Sequence, residues 1–156
     1  MFHVALWEPE IPPNTGNIAR LCAATDTPLH LIGRLGFRLD ERSLRRAGLD
    51  YWDVVTIHRH ASFDDFEQWS RAQGHLPERC FCFSARATRP YTDATFRDGD
   101  CLLFGSEGRG LPAETLARFG DRLLHIPMPG GKVRSLNLAT AVGIVLYEAL
   151  RQLQTR

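Results

Sequence analysis

Ile126-Pro127-Met128-Pro129-Gly130-Gly131-Lys132-Val133-Arg134-Ser135-Leu136-Asn137-Leu138-Ala139-Thr140-Ala141 is the stretch on which the reading of this chain turns. A short apolar strand, Leu123 to Met128, runs into a Pro/Gly loop, and the loop delivers Ser135 and Asn137 to the start of a long helix. A glycine-rich loop that feeds a helix N-terminus offers free backbone N–H groups and the positive end of the helix dipole to a ligand. Any α/β domain can contain such a connection, so the stretch alone leaves a binding loop and a plain turn both open.

Outward from it, apolar runs alternate with helical patterns. Phe2–Trp7 is predicted as a strand, Thr15–Ala24 as a helix with Asn14 as its N-cap, and Leu29–Gly33 as a strand. Glu41–Ala47 fits a short helix, with Asp40 before it, Arg45 and Arg46 in its last turn and Gly48 just after. Trp52–His58 follows as a strand, then Phe63–Gln73 as a helix capped by Ser62, with Asp64 and Asp65 in its first turn. Phe63, Phe66 and Trp69 recur there at helical spacing and belong to a core face. Arg79–Ser84 is a strand and Ala85–Gly99 a polar stretch. Cys101–Phe104 as a strand, Pro112–Phe119 as a helix, Leu123–Pro127 as a strand and Leu136–Leu153 as a long helix complete the order. Short apolar strands alternating with helices predict an α/β fold, a parallel sheet with helices on both faces. With no internal repeat or linker, the 156 residues are most simply one domain over 1–156. A chain of that length buries roughly 70 % of its unfolded surface.

Hydrophobic content of 44 % and charged content of 24 % are ordinary for a soluble globular protein. A formal net charge of +1 excludes a global basic field. Of the 19 basic residues only Lys132 is lysine. Arginine matches phosphate bidentately, although genome base composition would produce the same excess. Cys22, Cys80, Cys82 and Cys101 form no CxxC pair and sit in apolar contexts, as reduced core residues of a cytoplasmic protein would. The N-terminus lacks a basic region and reaches Glu8 too soon for a signal peptide, and no apolar run approaches membrane-spanning length. His58 and His60 share a strand face, but no third ligand has suitable spacing. No metal site is expected, and both histidines are taken as structural or exposed.

Gly105-Ser106-Glu107-Gly108-Arg109-Gly110 follows a strand and precedes a helix, as a dinucleotide fingerprint does, but its glycine order is GxxGxG where GxGxxG is required. A tight glycine turn is its plain reading. In the first helix Asn17 and Arg20 are neighbours three residues apart, while Ile18, Leu21 and Cys22 form the opposite side. Arg20 therefore projects away from the apolar face, as a solvated residue or as a site group.

Pro12-Pro13-Asn14-Thr15-Gly16-Asn17-Ile18-Ala19-Arg20, Leu102-Leu103-Phe104-Gly105-Ser106-Glu107-Gly108-Arg109-Gly110-Leu111-Pro112 and the Ile126–Ala141 stretch, in this order, resemble the three motifs of the SpoU branch of the SPOUT methyltransferases, trefoil-knotted enzymes that methylate RNA ribose. Trp7 to Asn17 and Leu44-Arg45-Arg46-Ala47-Gly48-Leu49-Asp50-Tyr51 are similar to the small tRNA (cytidine(34)-2′-O)-methyltransferases among them, which act on the anticodon wobble ribose. The resemblance implies a deep C-terminal trefoil knot, which nothing in the periodicity suggests. It implies an enzyme that uses S-adenosyl-L-methionine to methylate the wobble nucleotide, cytidine or modified uridine, of a tRNA anticodon stem-loop. It further implies a cofactor pocket of Phe83, Gly105, Ile126, Met128, Ser135 and Leu136, and a polar active site of Asn14, Arg20, Glu107, Ser135 and Asn137.

On that basis Glu107 and Asn14 are expected to orient Arg20, and Ser135 to hydrogen-bond the hydroxyl or the cofactor. The family's arginine is cast as a general base. Guanidinium resists deprotonation, so holding the neighbouring phosphate and orienting the hydroxyl stands beside that role. Arg42, Arg45 and Arg46 form either a solvated face or part of an RNA track. With no separate RNA-binding domain, a homodimer is expected to enlarge the RNA surface. Leu138, Val142, Val145, Leu146 and Leu153 of the last helix are available for its interface, or for burial against their own sheet. A ribosomal RNA ribose methyltransferase of the same fold and a non-catalytic RNA-binding protein are the rival readings. Gly108 stands where the wobble subfamily often has Thr, and the Pro129–Arg134 loop is one residue longer, closer to the general SpoU pattern.

Overall fold

The computed structural model describes residues 1–39, Arg42, Arg45 and residues 51–155. The predicted short helix Glu41–Ala47 therefore lies outside the described residues, apart from Arg42 and Arg45, which are helical and exposed.

Among the described residues seven strands form one sheet: β1 (His3–Trp7), β2 (Leu29–Ile32), β3 (Ile57–His60), β4 (Cys80–Phe83), β5 (Arg89–Pro90), β6 (Cys101–Phe104) and β7 (Leu123–His125). Their order across the sheet is β3-β2-β1-β6-β4-β7-β5, and every pairing is parallel. The helices are α1 (Pro12–Thr25), α2 (Phe63–Ala72), α3 (Ala113–Leu116) and α4 (Leu138–Gln154). Side chains alternate across the sheet, so each short strand feeds two cores. On one face Val4, Leu6, Leu29, Leu31, Phe81, Leu102 and Leu124 pack with Ile18 and Cys22 of α1 and Val142, Val145 and Leu146 of α4. On the other, Ala5, Ile32, Cys82 and Leu103 pack with Phe63 and Phe66 of α2 and Leu116 of α3. Leu138, Val142, Val145 and Leu146 of α4 are thus buried against their own sheet, and partly buried Leu153 packs against the same core.

Several boundaries differ from the expectation. Helix α1 starts at Pro12, so Asn14 is not its N-cap but a buried residue of its first turn. Pro12 and Pro13 fit the first turn because the N–H groups they lack have no helical partner there. The predicted strand Trp52–His58 splits into a 3-10 turn at Trp52–Val54, closed by Val54 N–H donating to the Tyr51 carbonyl at 3.2 Å, and strand β3 from Ile57. Helix α3 spans only Ala113–Leu116, because the chain tightens at Arg118 and Phe119 and then turns at Gly120, whose φ is +52°. Strand β7 ends at His125, leaving Ile126 and Met128 beyond the ladder, and α4 begins at Leu138. The polar stretch 85–99 contains β5 and the fully buried Phe96, whose N–H donates to Gln152 Oε1 of α4 at 2.8 Å. Ser62 caps α2 as expected, accepting from Asp65 N–H at 3.1 Å.

The α2 face also gathers histidines from three strands. Parallel register sets His30 beside His58 and Ile32 beside His60. His3 Nδ1 lies 2.9 Å from His30 Nε2, and His30 Nδ1 lies 3.0 Å from His60 Nε2. Trp69 and Phe66 of α2 cover the row, and His75 meets His3 edge-on at 4.6 Å. Burial, with the surrounding imidazoles, pushes His30 down to about 2. Burial, then His75, the N-terminal ammonium and His58, push His3 down to about 4, against a small opposing pull from Asp98. Burial also lowers His60. A neutral His30 donates through one ring nitrogen and accepts through the other. All four cysteines are free, and burial pushes the Cys22 thiol up to about 12.

Candidate active site

In a parallel sheet the strands all deliver their loops to one end, and ligands bind outside the carboxyl ends of the strands. Here the loops after β1, β6 and β7 meet at that end. Glu107, on the glycine-rich loop after β6, accepts two backbone N–H bonds through Oε2, from Glu10 and Ile11, both at 2.8 Å. Its other oxygen is buried without a hydrogen-bond partner among the described residues. Ile11 in turn accepts from Asn14 N–H at 3.0 Å and leads into α1. Asn137 joins the loop after β7 to α1 by donating through Nδ2 to Asn14 Oδ1 at 2.9 Å, and its own Oδ1 caps α4 by accepting from Thr140 N–H at 3.1 Å. Asn137 is thus an N-cap with a second bond outward, which places the start of α4 against the first turn of α1.

The glycine-rich loop closes on itself. Ser106 pairs with Gly110 in an isolated bridge, and Gly110 N–H donates to the Ser106 carbonyl at 2.9 Å. A Cβ on Gly105 would stand 2.5 Å from the Gly110 carbonyl carbon and 2.7 Å from Leu111 N. The close approach that demands glycine there is made by the chain's own backbone. Arg109 reaches over the β1 loop, 3.6 Å from Glu8 and 3.7 Å from Glu10. Glu8 holds φ +44°, an uncommon conformation for a residue with a side chain. Gly33 makes room for it, since a Cβ there would lie 2.8 Å from Glu8 Cγ. A separate concavity of about 100 Å³, with Phe63, Cys80, Cys101 and Phe119 in its wall, lies at the opposite ends of the strands.

The structure unites some of the sequence-predicted residues and separates others. Asn14, Asn137 and Glu107 belong to one hydrogen-bonded set around the start of α1. The expected orientation of Arg20 by Glu107 and Asn14 involves no direct contact between them here: Glu107 is engaged by backbone amides and Asn14 by Asn137. The Arg20 guanidinium instead lies over the ring of Tyr51, 5.2 Å from its centroid. Ser135 is exposed at the end of the Pro/Gly loop, and Leu136 beside it is half-buried. Ile126 and Met128 are half-buried beyond β7. Phe83 is a core side chain at the end of β4, stacked on Phe104 at 4.9 Å and 16°. Thr15 is a polar residue that sequence reasoning missed, its hydroxyl buried without a partner in the first turn of α1. Its position inside a capping turn gave no separate signal.

The donor set suits a nucleoside-bearing cation. Half-buried Ile126, Met128 and Leu136 offer apolar contact for a base, and the free Glu107 oxygen is an acceptor for a hydroxyl or a positive centre. Among the described residues no helix is long and apolar enough to cross a membrane, and no cluster of three or more His, Cys, Asp or Glu could hold a metal ion.

Comparison with known proteins adds to this geometry. The family model of SpoU rRNA methylases matches residues 1–147. The tRNA (cytidine(34)-2′-O)-methyltransferase of Saccharophagus degradans is 47 % identical over 154 residues, covering 98 % of this chain and 96 % of that protein. A structure solved for the 2-OH methylation of C/U34 on tRNA superposes with a TM-score of 0.87 at 53 % identity, over 100 % of this chain and 98 % of that one. An AdoMet-bound rRNA methyltransferase from Sinorhizobium meliloti superposes with a TM-score of 0.79 at 33 % identity, over 97 % of this chain and 56 % of the other.

Proposed function

The chain belongs to the SpoU rRNA methylase family, and from that premise we propose that it is a cytoplasmic, S-adenosyl-L-methionine-dependent tRNA 2′-O-ribose methyltransferase acting on nucleotide 34, cytidine or modified uridine, of the anticodon loop. The observation that carries this reading is the 47 % identity to a tRNA (cytidine(34)-2′-O)-methyltransferase over nearly the whole of both chains. The ribosomal RNA alternative is less well supported, because the rRNA methyltransferase compared above is matched over only 56 % of its length. We read residues 1–156 as one domain with a C-terminal trefoil knot. The strand order supports the knot, since the late strands β6 and β7 each lie between earlier ones.

When bound, S-adenosylmethionine supplies an activated methyl group, and the protein's task is to position and to adjust charge. Ile126, Met128 and Leu136 would hold its adenine, with Phe83 and Gly105 beside them. Ser135 and the free Glu107 oxygen would contact the polar parts of the reactants. Asn14 and Asn137 fix the distance between the loop after β7 and α1, the helix that carries Arg20. Arg20 stays charged, holds the phosphate beside the target nucleotide and orients the 2′-hydroxyl. The enzyme works as a homodimer, a reading supported by the small RNA-facing surface and by exposed Tyr147 on α4. Light scattering that gives a monomer mass under conditions of full activity refutes the dimer.

Incubating tRNA with labelled cofactor and mapping the product tests the reaction, and label at the 2′-oxygen of nucleotide 34 is the expected result. Label in ribosomal RNA alone, or binding of a nicotinamide dinucleotide in place of the cofactor, overturns it. Arg20→Ala is expected to abolish transfer while cofactor affinity stays within about threefold, because the lost contact is to RNA in the transition state.

A further inference from the structure

We infer that Tyr51 is a positioning residue for Arg20: its ring holds the guanidinium in place for the ribose and phosphate while leaving the N–H donors free. The inference rests on the reading of Arg20 as the essential arginine of a ribose methyltransferase. Arg20 projects from the outer side of α1, is exposed, and has no ion pair or hydrogen bond to a described residue; its contact is the Tyr51 face at 5.2 Å. That distance is within cation–π range. A carboxylate in the same place would neutralise the charge and occupy the fork that phosphate needs. An aromatic face instead attracts the cation through its π-cloud and accepts none of the five in-plane N–H groups. Tyr51 is itself anchored, because its carbonyl accepts from Val54 N–H at 3.2 Å in a 3-10 turn that packs on α1. The ring is 38 % exposed, so core packing does not account for it.

The test is steady-state methylation of tRNA by the full chain carrying Tyr51→Ala, Tyr51→Leu, Tyr51→Phe or Tyr51→Trp. Loss of the ring in the Ala and Leu variants is expected to lower kcat on the order of tenfold, with tRNA KM and cofactor affinity within about threefold. Phe and Trp, which keep a π-face, are expected to stay within about twofold of the original rate. Melting temperatures should be unchanged throughout. The Arg20 Nε–H resonance, read by NMR without substrate, should lose its ring-current shift in the Ala and Leu variants and keep it in Phe. An unchanged kcat in Tyr51→Ala overturns the inference. So does a raised tRNA KM at unchanged kcat, which would mean that the ring stacks directly on RNA, and so does failure of Phe to rescue. If the original protein transfers no methyl group, the functional reading falls on its own. The Arg20 resonance then decides the pairing separately, and an unchanged shift in Tyr51→Ala overturns it.

Discussion

Acid should unfold this protein through its histidine row, and the slope of stability against pH can be worked out in advance. In the folded state His30 is pushed down to about 2 and His3 to about 4, while the unfolded chain restores both to about 6.5. Between roughly pH 6.5 and pH 4 the unfolded chain therefore binds two protons that the native state does not. Folded values below the unfolded ones mean stability that is fully present above pH 6.5 and lost as pH falls. Each such proton costs about 1.4 kcal/mol per pH unit, so the pair gives a slope of about 3 kcal/mol per unit. Going from pH 6.5, where the unfolded imidazoles are half protonated, to pH 5 removes about 3 kcal/mol, a large part of the roughly 5–15 kcal/mol by which a domain is stable. His60, also lowered, acts in the same direction. Urea unfolding followed by circular dichroism at pH 7.5, 6.5, 6.0, 5.5 and 5.0 measures the slope. His30→Gln keeps one donor and one acceptor between His3 and His60 but does not titrate, so its slope should fall by about 1.4 kcal/mol per unit even if its stability at pH 7.5 is lower. A slope below about 1 kcal/mol per unit in the original chain, or an undiminished slope in His30→Gln, refutes the reasoning.

Two further predictions concern the loops. Gly105→Ala forces a Cβ against the backbone of Gly110 and Leu111 and should cost about 2–3 kcal/mol, lowering the melting temperature by about 5–10 °C. Gly108→Ala, whose Cβ would meet only Glu10 side-chain oxygens at 3.5 Å, should melt within about 2 °C of the original; equal effects of the two in a thermal melt would contradict the contact argument. Asn137→Ala removes a helix cap and leaves buried Asn14 without its donor, at about 2–3 kcal/mol in chemical denaturation. Asn137→Asp keeps the cap acceptor but cannot donate to Asn14, so it should recover about 1 kcal/mol of that loss; full recovery would show that the Asn14 bond contributes nothing.

The architecture was legible because of how a parallel sheet is buried. Strands covered on both faces are short apolar runs, and β1, β2, β4 and β6 sit where Phe2–Trp7, Leu29–Gly33, Arg79–Ser84 and Cys101–Phe104 were expected. The start of α1 was misplaced because Asn14 has the side chain of a cap, while Pro12 and Pro13 already satisfied the turn. The histidine row was illegible for a different reason. His3, His30 and His60 lie some thirty residues apart, and only the parallel register of β1, β2 and β3 brings their rings into hydrogen-bond contact. Arg20 was expected beside Glu107 and Asn14, yet its partner is Tyr51, a contact set by the 3-10 turn that stands where a strand was predicted. The motifs named the polar residues of the candidate site, but not which of them bond to one another.

Those bonds have a direction that bears on function. Glu107 holds the backbone at Glu10 and Ile11, Ile11 opens α1, Asn14 in the first turn of α1 holds Asn137, and Asn137 caps α4. Loops from β1, β6 and β7 are thereby fastened to one rigid element. Arg20 lies six residues beyond Asn14 on the same helix, about 9 Å along its axis at 1.5 Å per residue. Helix α1 thus connects the glycine-rich loop to Arg20 with no contact between Glu107 and the guanidinium. The expected direct pairing of Glu107 with Arg20 is replaced by an indirect one through the backbone. This arrangement leaves one carboxylate oxygen of Glu107 and the donor fork of Arg20 without hydrogen-bond partners among the described residues.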